Sequence, residues 1–404
     1  MTLKRTTNYR EEEMKKVTQE IRKMGLAATA LAIATGLVLL SATAQEKPTY
    51  KVAYIGPITG PNTAVGVGTM NSIDLAIRQA NAAGNLPFKL EFISETDDSK
   101  PAAGVAAVQK ICSDKSVLLS SAHWNSPVAM ATGPYFNDCE LMNLISGAAA
   151  NDITKQGWKA VGRVNSPFRY VLPGLSKVAY DDLGIRKIAL IHSLDDFGNE
   201  AAKEFSEEFV KLGGQIVTSD GYNVGDRDFT SILTKIRSSR PEAVMHAGVS
   251  TEAALIARQM RQLGMKQPYL GHSGFQSVAY VDAVGESGDG TLVASLAPFP
   301  EDLPGGKQFL ADYKAAGFKD PPDVYGVYGY AAGQTMVELI KRYGPDRKAI
   351  VENFRMAKDI PTILGKQSFD ADGELQPKKV GISVLENGKW VKFQAADYKK
   401  KYMK

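Results

Sequence analysis

The sequence predicts an α/β protein of two doubly wound parallel-sheet lobes, joined by a three-strand hinge with a ligand cleft between them. Three observations carry this. Short β-rich runs alternate with longer helical patterns from Tyr50 onward, the alternation restarts at Arg186, and the helices after Pro298 lack the strands to form a third domain. Strand–helix alternation implies a parallel sheet covered on both faces. A chain of 404 residues, 44% hydrophobic and 23% charged, has enough apolar surface for two cores.

In the first lobe, strands are read at Lys51 to Ile55, Leu90 to Ser94, Val117 to Ser121 and Leu141 to Ile145, with helices at Gly66 to Ala83, Ala102 to Cys112 and Pro127 to Asn137. The second unit has strands at Arg186 to Ile191, Gln215 to Ser219, Ala243 to His246, Tyr269 to Gly271 and Thr291 to Leu296. Its helices are Gly198 to Leu212, Phe229 to Arg237 and Thr251 to Leu263. The segments at Gly306 to Ala316, Val324 to Tyr343 and Lys348 to Lys358, with a strand at Gln367 to Phe369, are expected to return and complete the first lobe. A last strand at Val380 to Leu385 then crosses back to the second. Three crossovers follow, at Ser166 to Phe168, Ala297 to Pro300 and Gly373 to Lys378, where Pro and Gly interrupt regular structure. The expected lobes are 45–166 with 300–375, and 167–299 with 376–404.

Residues 1–44 read as a targeting segment: Lys15, Lys16, Arg22 and Lys23 precede an uncharged Ala/Leu-rich stretch from Gly25 to Thr43, and Ala42-Thr43-Ala44 is the small-x-small pattern of a processing site. Cleavage after Ala44 is expected, with a retained membrane anchor as the alternative. The acidic run Glu11 to Glu13 is foreign to such a leader, so translation starting at Met14 or Met24 is a further alternative.

The formal net charge is +4, of which the first 44 residues supply +3 (seven Lys/Arg against four Glu), leaving +1 for the rest. That balance gives no general attraction to nucleic acid or an anionic membrane. Cys112 and Cys139 each end a predicted helix, which leaves open a disulfide in an oxidising compartment or two buried thiols. No Cys/His cluster has metal-ligand spacing, and no cofactor is expected. The Lys-rich tail from Lys399 to Lys404 reads as a solvated end.

In open α/β sheets ligands bind beyond the carboxyl ends of strands, where helix N-termini expose free N–H groups. This directs attention to Thr59, to His123 through Ser126, to Ser146 through Ala150, and to the stretches beginning at His192, Ala247 and His272. All four histidines stand at or just beyond strand ends, where either ligand contact or packing explains them. Enzyme signatures are incomplete. Gly66-Val67-Gly68 lacks the third glycine of a dinucleotide loop, which is Asn71 here, and Gly271-His272-Ser273-Gly274-Phe275 resembles a nucleophile elbow without its final glycine. A hydrolase reading would use Ser273 with His192 or His246 and Asp195. Asp97-Asp98 reads as a strand end and helix cap rather than an acid/base pair.

Several motifs together carry a family resemblance: Tyr50-Lys51-Val52-Ala53-Tyr54-Ile55-Gly56-Pro57-Ile58-Thr59-Gly60-Pro61, Asp97-Asp98, Leu144-Ile145-Ser146-Gly147-Ala148, Ile188 to His192 with Asp196-Phe197-Gly198, Asp226 to Thr230, and Phe369-Asp370-Ala371-Asp372-Gly373. In this order, from Tyr50 to Val391, the chain resembles type I periplasmic binding proteins, and within them the leucine/isoleucine/valine-binding branch of ABC transporters. The resemblance implies a non-enzymatic, monomeric receptor whose lobes close on an amino acid or related carboxylate, and whose closed form a permease recognises. A sensory receptor domain is the alternative. It places the carboxylate grip on Asn125, Ser126 and the Ala148, Ala149 and Ala150 loop, an aromatic wall at Phe197, and further contacts at Val249 and Tyr325. Trp124 either stacks on the ligand or packs under its loop. Departures from the branch are Ser273, where an acidic residue commonly meets the ligand ammonium, together with Ala150 and Val249. A buried ammonium without a charged partner costs several kcal/mol, so a neutral or anionic solute, such as an aromatic acid, is an equal expectation.

Overall fold

The structure, a computed structural model, describes residues 12–24, 47–248, 250–295, 299–378 and 380–403. The uncharged stretch of the leader, its processing site, Val249 and half of the second crossover lie outside these residues. Residues 12–24 form helix α1, exposed along its length, in a unit separate from Thr49–Lys404.

The first sheet contains β1 (Thr49–Gly56), β2 (Lys89–Thr96), β3 (Val117–Ala122), β4 (Met142–Ile145) and β5 (Val161–Arg163), all parallel in the order β2-β1-β3-β4-β5. Helices α2 (Thr63–Ala82), α3 (Pro101–Ser113) and α4 (Ser126–Asp138) connect its strands. Both faces of β1 are buried: Val52 and Tyr54 pack with Ile73 of α2, and Ala53 and Ile55 with Val108 of α3 and Phe136 of α4. A strand covered on both sides needs a continuous apolar run, which is what β1 and β3 supply. Strand β5 is absent from the sequence reading because three residues give no periodicity and one of them is arginine. Cys112 and Cys139, at the ends of α3 and α4, are joined as a disulfide with Cα atoms 5.8 Å apart.

After the crossover at Ser166 to Phe168 come α5 (Phe168–Lys177), β6 (Lys187–Ser193), α6 (Asp196–Lys211), β7 (Gln215–Tyr222), α7 (Thr230–Ser238), β8 (Ala243–Ala247), α8 (Ser250–Gln262), β9 (Tyr269–His272), α9 (Val278–Val284) and β10 (Leu292–Ser295). Ile188 and Leu190 of β6 face Phe205 and Phe209 of α6, while Ala189 and Ile191 face Leu233 of α7 and Ile256 of α8. The chain then returns with α10 (Gly306–Ala315), α11 (Gly326–Tyr343), α12 (Arg347–Asn353) and a small antiparallel sheet of β11 (Ile360–Thr362), β12 (Gly365–Phe369) and β13 (Leu375–Gln376). Helix α11 lies against α2 so closely that a Cβ on Gly329 would stand 2.5 Å from the Thr69 carbonyl oxygen.

The last strands, β14 (Gly381–Glu386) and β15 (Lys389–Lys392), complete a seven-stranded sheet of order β15-β14-β10-β9-β8-β6-β7. Both pair antiparallel, so the second sheet is mixed at one edge rather than wholly parallel. A strand that arrives from the other lobe without a crossover helix is free to run either way. The terminal helix α13 (Ala395–Tyr402) is anchored just before the Lys-rich tail: Tyr398 is buried and its hydroxyl donates to the Gly290 carbonyl at 2.7 Å, while Lys399 to Lys401 are exposed and Lys401 pairs with Glu386.

Candidate functional site

The cleft is built from the loops at the carboxyl ends of both sheets. Its floor belongs to the first lobe. Asn125 precedes α4 and Ser126 opens it, followed by Pro127, which has no N–H to leave unsatisfied. The Ser126 hydroxyl is fully buried and accepts from the Ala150 N–H at 3.2 Å, and its own proton has no acceptor among the described residues. The neighbouring Ala148 N–H donates to the His123 carbonyl, whereas that of Ala149 meets no acceptor among the described residues. The Asn125 Oδ1 and Trp124 Nε1 atoms are likewise buried without a hydrogen-bond partner. A helix N-terminus, a free backbone N–H and a free hydroxyl are donors of the kind that suit an anion. Gly147 is required beneath it, since a Cβ there would lie 2.8 Å from Trp124 Cα.

This floor is held by a residue the motif reading passed over. Arg163 in β5 is fully buried and donates to the carbonyls of Ala148 (3.2 Å) and Ala150 (2.7 Å). It also lies 3.1 Å from Glu374, which Lys378 meets on its other oxygen at 2.9 Å and Arg169 approaches at 3.5 Å. Thr154 donates to the same carboxylate at 2.8 Å. Burial alone would raise the Glu374 pKa, but Arg163 and Lys378 outweigh it and hold the group down at about 2. Burial lowers the Lys378 pKa to about 8 against the pull of Glu374. This cluster sits where the first and third crossovers run side by side, with Arg163 and Glu374 in parallel bridge register. The signal in the sequence was a lone arginine inside an apolar run.

The second lobe supplies a wall. The Phe197 ring lies 5.0 Å from that of Phe168 and 4.8 Å from His272, edge to face. His272 is locked: its Nε2 donates to the Gly248 carbonyl at 2.6 Å, and its Nδ1 accepts from the Gly274 N–H at 3.0 Å. That pattern fixes a neutral ring, and burial lowers its pKa to about 4. His272 therefore offers the cleft a ring face and no free nitrogen, which of the two open readings favours packing. Ser273 follows it and reaches across to Tyr325, hydroxyl to hydroxyl at 3.1 Å, while the Tyr325 ring meets Trp124 edge-on at 6.0 Å. Burial pushes the Tyr325 hydroxyl up to about 12.

The structure thus brings Trp124, Asn125, Ser126, Ala148, Ala149 and Tyr325 together on the first-lobe side, with Ser273 and Phe197 opposite. Val249 lies outside the described residues. Thr59 stands apart, exposed, with its hydroxyl 2.8 Å from that of Thr96 and 3.3 Å from Asp98. The other histidines are committed elsewhere. His246 lies buried between the hydroxyls of Tyr222 (2.8 Å) and Tyr269 (2.6 Å), His123 is paired with Asp97 at 2.7 Å, and His192 faces the Ser193 carbonyl. Asp97 is therefore the partner of a buried histidine rather than a helix cap. Asp195 caps α6 by accepting from the Gly198 N–H at 2.7 Å, and Ser273 has no histidine within hydrogen-bonding reach among the described residues. No cluster of three or more metal-ligating side chains occurs among the described residues.

The sequence profile of the periplasmic binding protein family matches residues 49–382. The chain is 28% identical over 353 residues to a Leu/Ile/Val-binding protein homologue of Brucella suis, covering 86% of this chain and 91% of that one. Among solved structures, it resembles a leucine-binding protein of Thermotoga maritima (TM-score 0.77, 24% identity, 85% of this chain and 98% of that one). It also resembles an ABC transporter solute-binding protein of R. palustris solved with benzoate (TM-score 0.76, 21% identity, 85% of this chain and 95% of that one).

Proposed function

The chain belongs to the periplasmic binding protein family, and from that premise we propose that it is the exported solute-binding component of an ABC importer, carrying an organic carboxylate without an amino group, an aromatic acid foremost. The observation that carries the ligand class is the division of the cleft. Free N–H and hydroxyl groups gather at the first-lobe floor, and the second-lobe wall presents Phe197, Phe168 and a His272 ring whose nitrogens are both occupied. An anionic head fits the floor and a flat apolar body fits the wall. The relatives above are named for branched-chain amino acids and, in one case, solved with benzoate, which brackets the same ligand size.

The moving bodies are taken as 45–166 with 300–375 and 167–299 with 376–404, closing about the three crossovers. Solute binding shifts the open–closed equilibrium, and the closed monomer presents its lobe tips to the permease; no chemistry is required. Processing after Ala44 releases the receptor to the periplasm.

One observation favours a second reading. Asp323, two residues before Tyr325, has a buried Oδ2 with no hydrogen-bond partner, and an amino-acid ammonium would satisfy it. A thermal-shift screen with benzoate, 4-hydroxybenzoate and leucine separates the two, because a ligand stabilises the state it binds. Larger shifts with the aromatic acids support the proposal. A strong leucine response that disappears in Asp323→Asn, with none from the acids, replaces it with the second reading.

A further inference from the structure

Three carboxylates lie where the two lobes touch, and none of them has a cation in ion-pair range among the described residues. Two stand one turn apart on α6 of the second lobe and converge on one first-lobe residue, Asn151. Glu200 accepts from the Asn151 backbone N–H at 2.7 Å, and Glu204 accepts from its side-chain amide. Asn151 is itself buried, fixed by the Arg169 N–H donating to its Oδ1 at 2.9 Å. The third, Asp323, belongs to the first lobe and faces the backbone N–H groups of Val324, Tyr325 and, across the cleft, Val278 at the start of α9.

We propose that lobe closure is coupled to proton uptake at Glu200, Glu204 and Asp323, so that the cleft holds its solute more tightly in mildly acidic medium than in alkaline medium. The inference rests on the reading that the lobes open and close about a solute. In an open form all three carboxylates are hydrated; closing leaves each residue half-buried, withdraws its carboxylate partly from water and gives neutral N–H donors in exchange, which is less than an ionised carboxylate loses.

The surrounding charges are mixed rather than compensating. Around Glu200, Asp152 of the 151–155 turn and Glu204 repel, while Arg163 of β5, already held by Glu374, attracts. Around Glu204, Glu207 repels and Lys203, Lys155 and Arg169 attract. Asp323 shares its surroundings with Tyr313, Tyr325 and Asp320, and no cation among the described residues pairs with it. Burial is the leading cause in each case: it raises Glu200 and Glu204, and it brings Asp323 to about 6. The sign follows. A carboxylate whose pKa is higher in the closed form favours closure at pH below that of the open form, and this preference is lost as pH rises through the closed value. His272 does not compete in this window, being locked neutral with a pKa of about 4.

The test is benzoate titration of the full chain at pH 5.5 and pH 8, both above the range in which the ligand itself protonates. Asp323 alone, shifting from an ordinary carboxylate value to about 6, gives about fourfold tighter binding at pH 5.5, and the two glutamates add to it. The Glu200→Gln, Glu204→Gln, Asp323→Asn variant should bind equally well at both pH values; Asp323→Asn alone, should the triple variant not fold, should lose part of the dependence. Equal wild-type affinity at the two pH values, or a variant that keeps the wild-type dependence, overturns the proposal. If benzoate binds at neither pH, the functional reading has failed instead. Closure is then followed by small-angle scattering of the solute-free chain, whose radius of gyration shrinks from pH 8 to pH 5.5 if closure takes up protons and stays constant if it does not.

Discussion

The floor and the wall of the cleft differ in how their polar atoms are used. On the first-lobe side Asn125 Oδ1 and Trp124 Nε1 are buried and unpartnered, and the Ser126 proton is free. On the second-lobe side both His272 nitrogens are bonded inside the lobe, and Asp195 and Ser193 satisfy one another. Buried polar groups are normally paired, so a cluster of orphans marks a place where something else binds. On the proposed reading the wall would recognise shape and the floor charge.

Substitutions that separate the two sides test this contrast. The largest effect is expected at the hinge support: Arg163→Met leaves Glu374 short of one cation and releases the Ala148 and Ala150 carbonyls. A loss of about 3–5 kcal/mol in chemical denaturation should accompany the loss of solute binding. If stability falls while benzoate affinity is kept, the floor does not depend on Arg163.

Acid should reveal the same cluster in the wild-type chain. Glu374 is held at about 2, so its contribution is complete above the ordinary carboxylate range and is lost as pH falls through that range toward 2. About 3 kcal/mol of unfolding free energy is involved. A Glu374→Gln variant should be less stable at neutral pH and show a flatter acid limb in denaturant melts. An identical acid limb would remove Glu374 from the account.

The smallest effects compare the two sides directly. Ser126→Ala should weaken all carboxylates alike, by about tenfold or more, since it removes one charge-assisted hydrogen bond. Phe197→Ala should instead change the ranking between flat and branched acids, with little change in melting temperature because the ring is only half-buried. Equal losses across ligands in both variants would erase the distinction between floor and wall.

Much of this was legible in the residues. The strands of both sheets have apolar runs long enough to read, and the restart of the alternation at Arg186 marks the second lobe. Strand-end logic singled out Ser126, the Ala148 loop, Phe197 and Ser273, which the structure brings together. It also singled out Thr59 at the end of β1, which stands apart from them with its hydroxyl beside that of Thr96. It also left the histidines undecided, because a strand-end histidine and a packed one have the same local sequence. The hinge cluster was invisible for another reason: Arg163 meets the local pair Glu374 and Lys378 only through a chain crossover more than 200 residues away, and no local pattern encodes such a meeting. Strands β5, β11 and β13 are too short for periodicity to declare.

The triple crossover also has a consequence for synthesis. The first lobe needs α11, supplied by Gly326–Tyr343, to cover α2, and its hinge needs Glu374, while the second sheet is closed at one edge only by Gly381–Glu386 and the helix ending at Tyr402. A ribosome that has emitted the first 300 residues has therefore released two incomplete lobes. Neither can finish folding in order of emergence, so the two lobes become complete almost together.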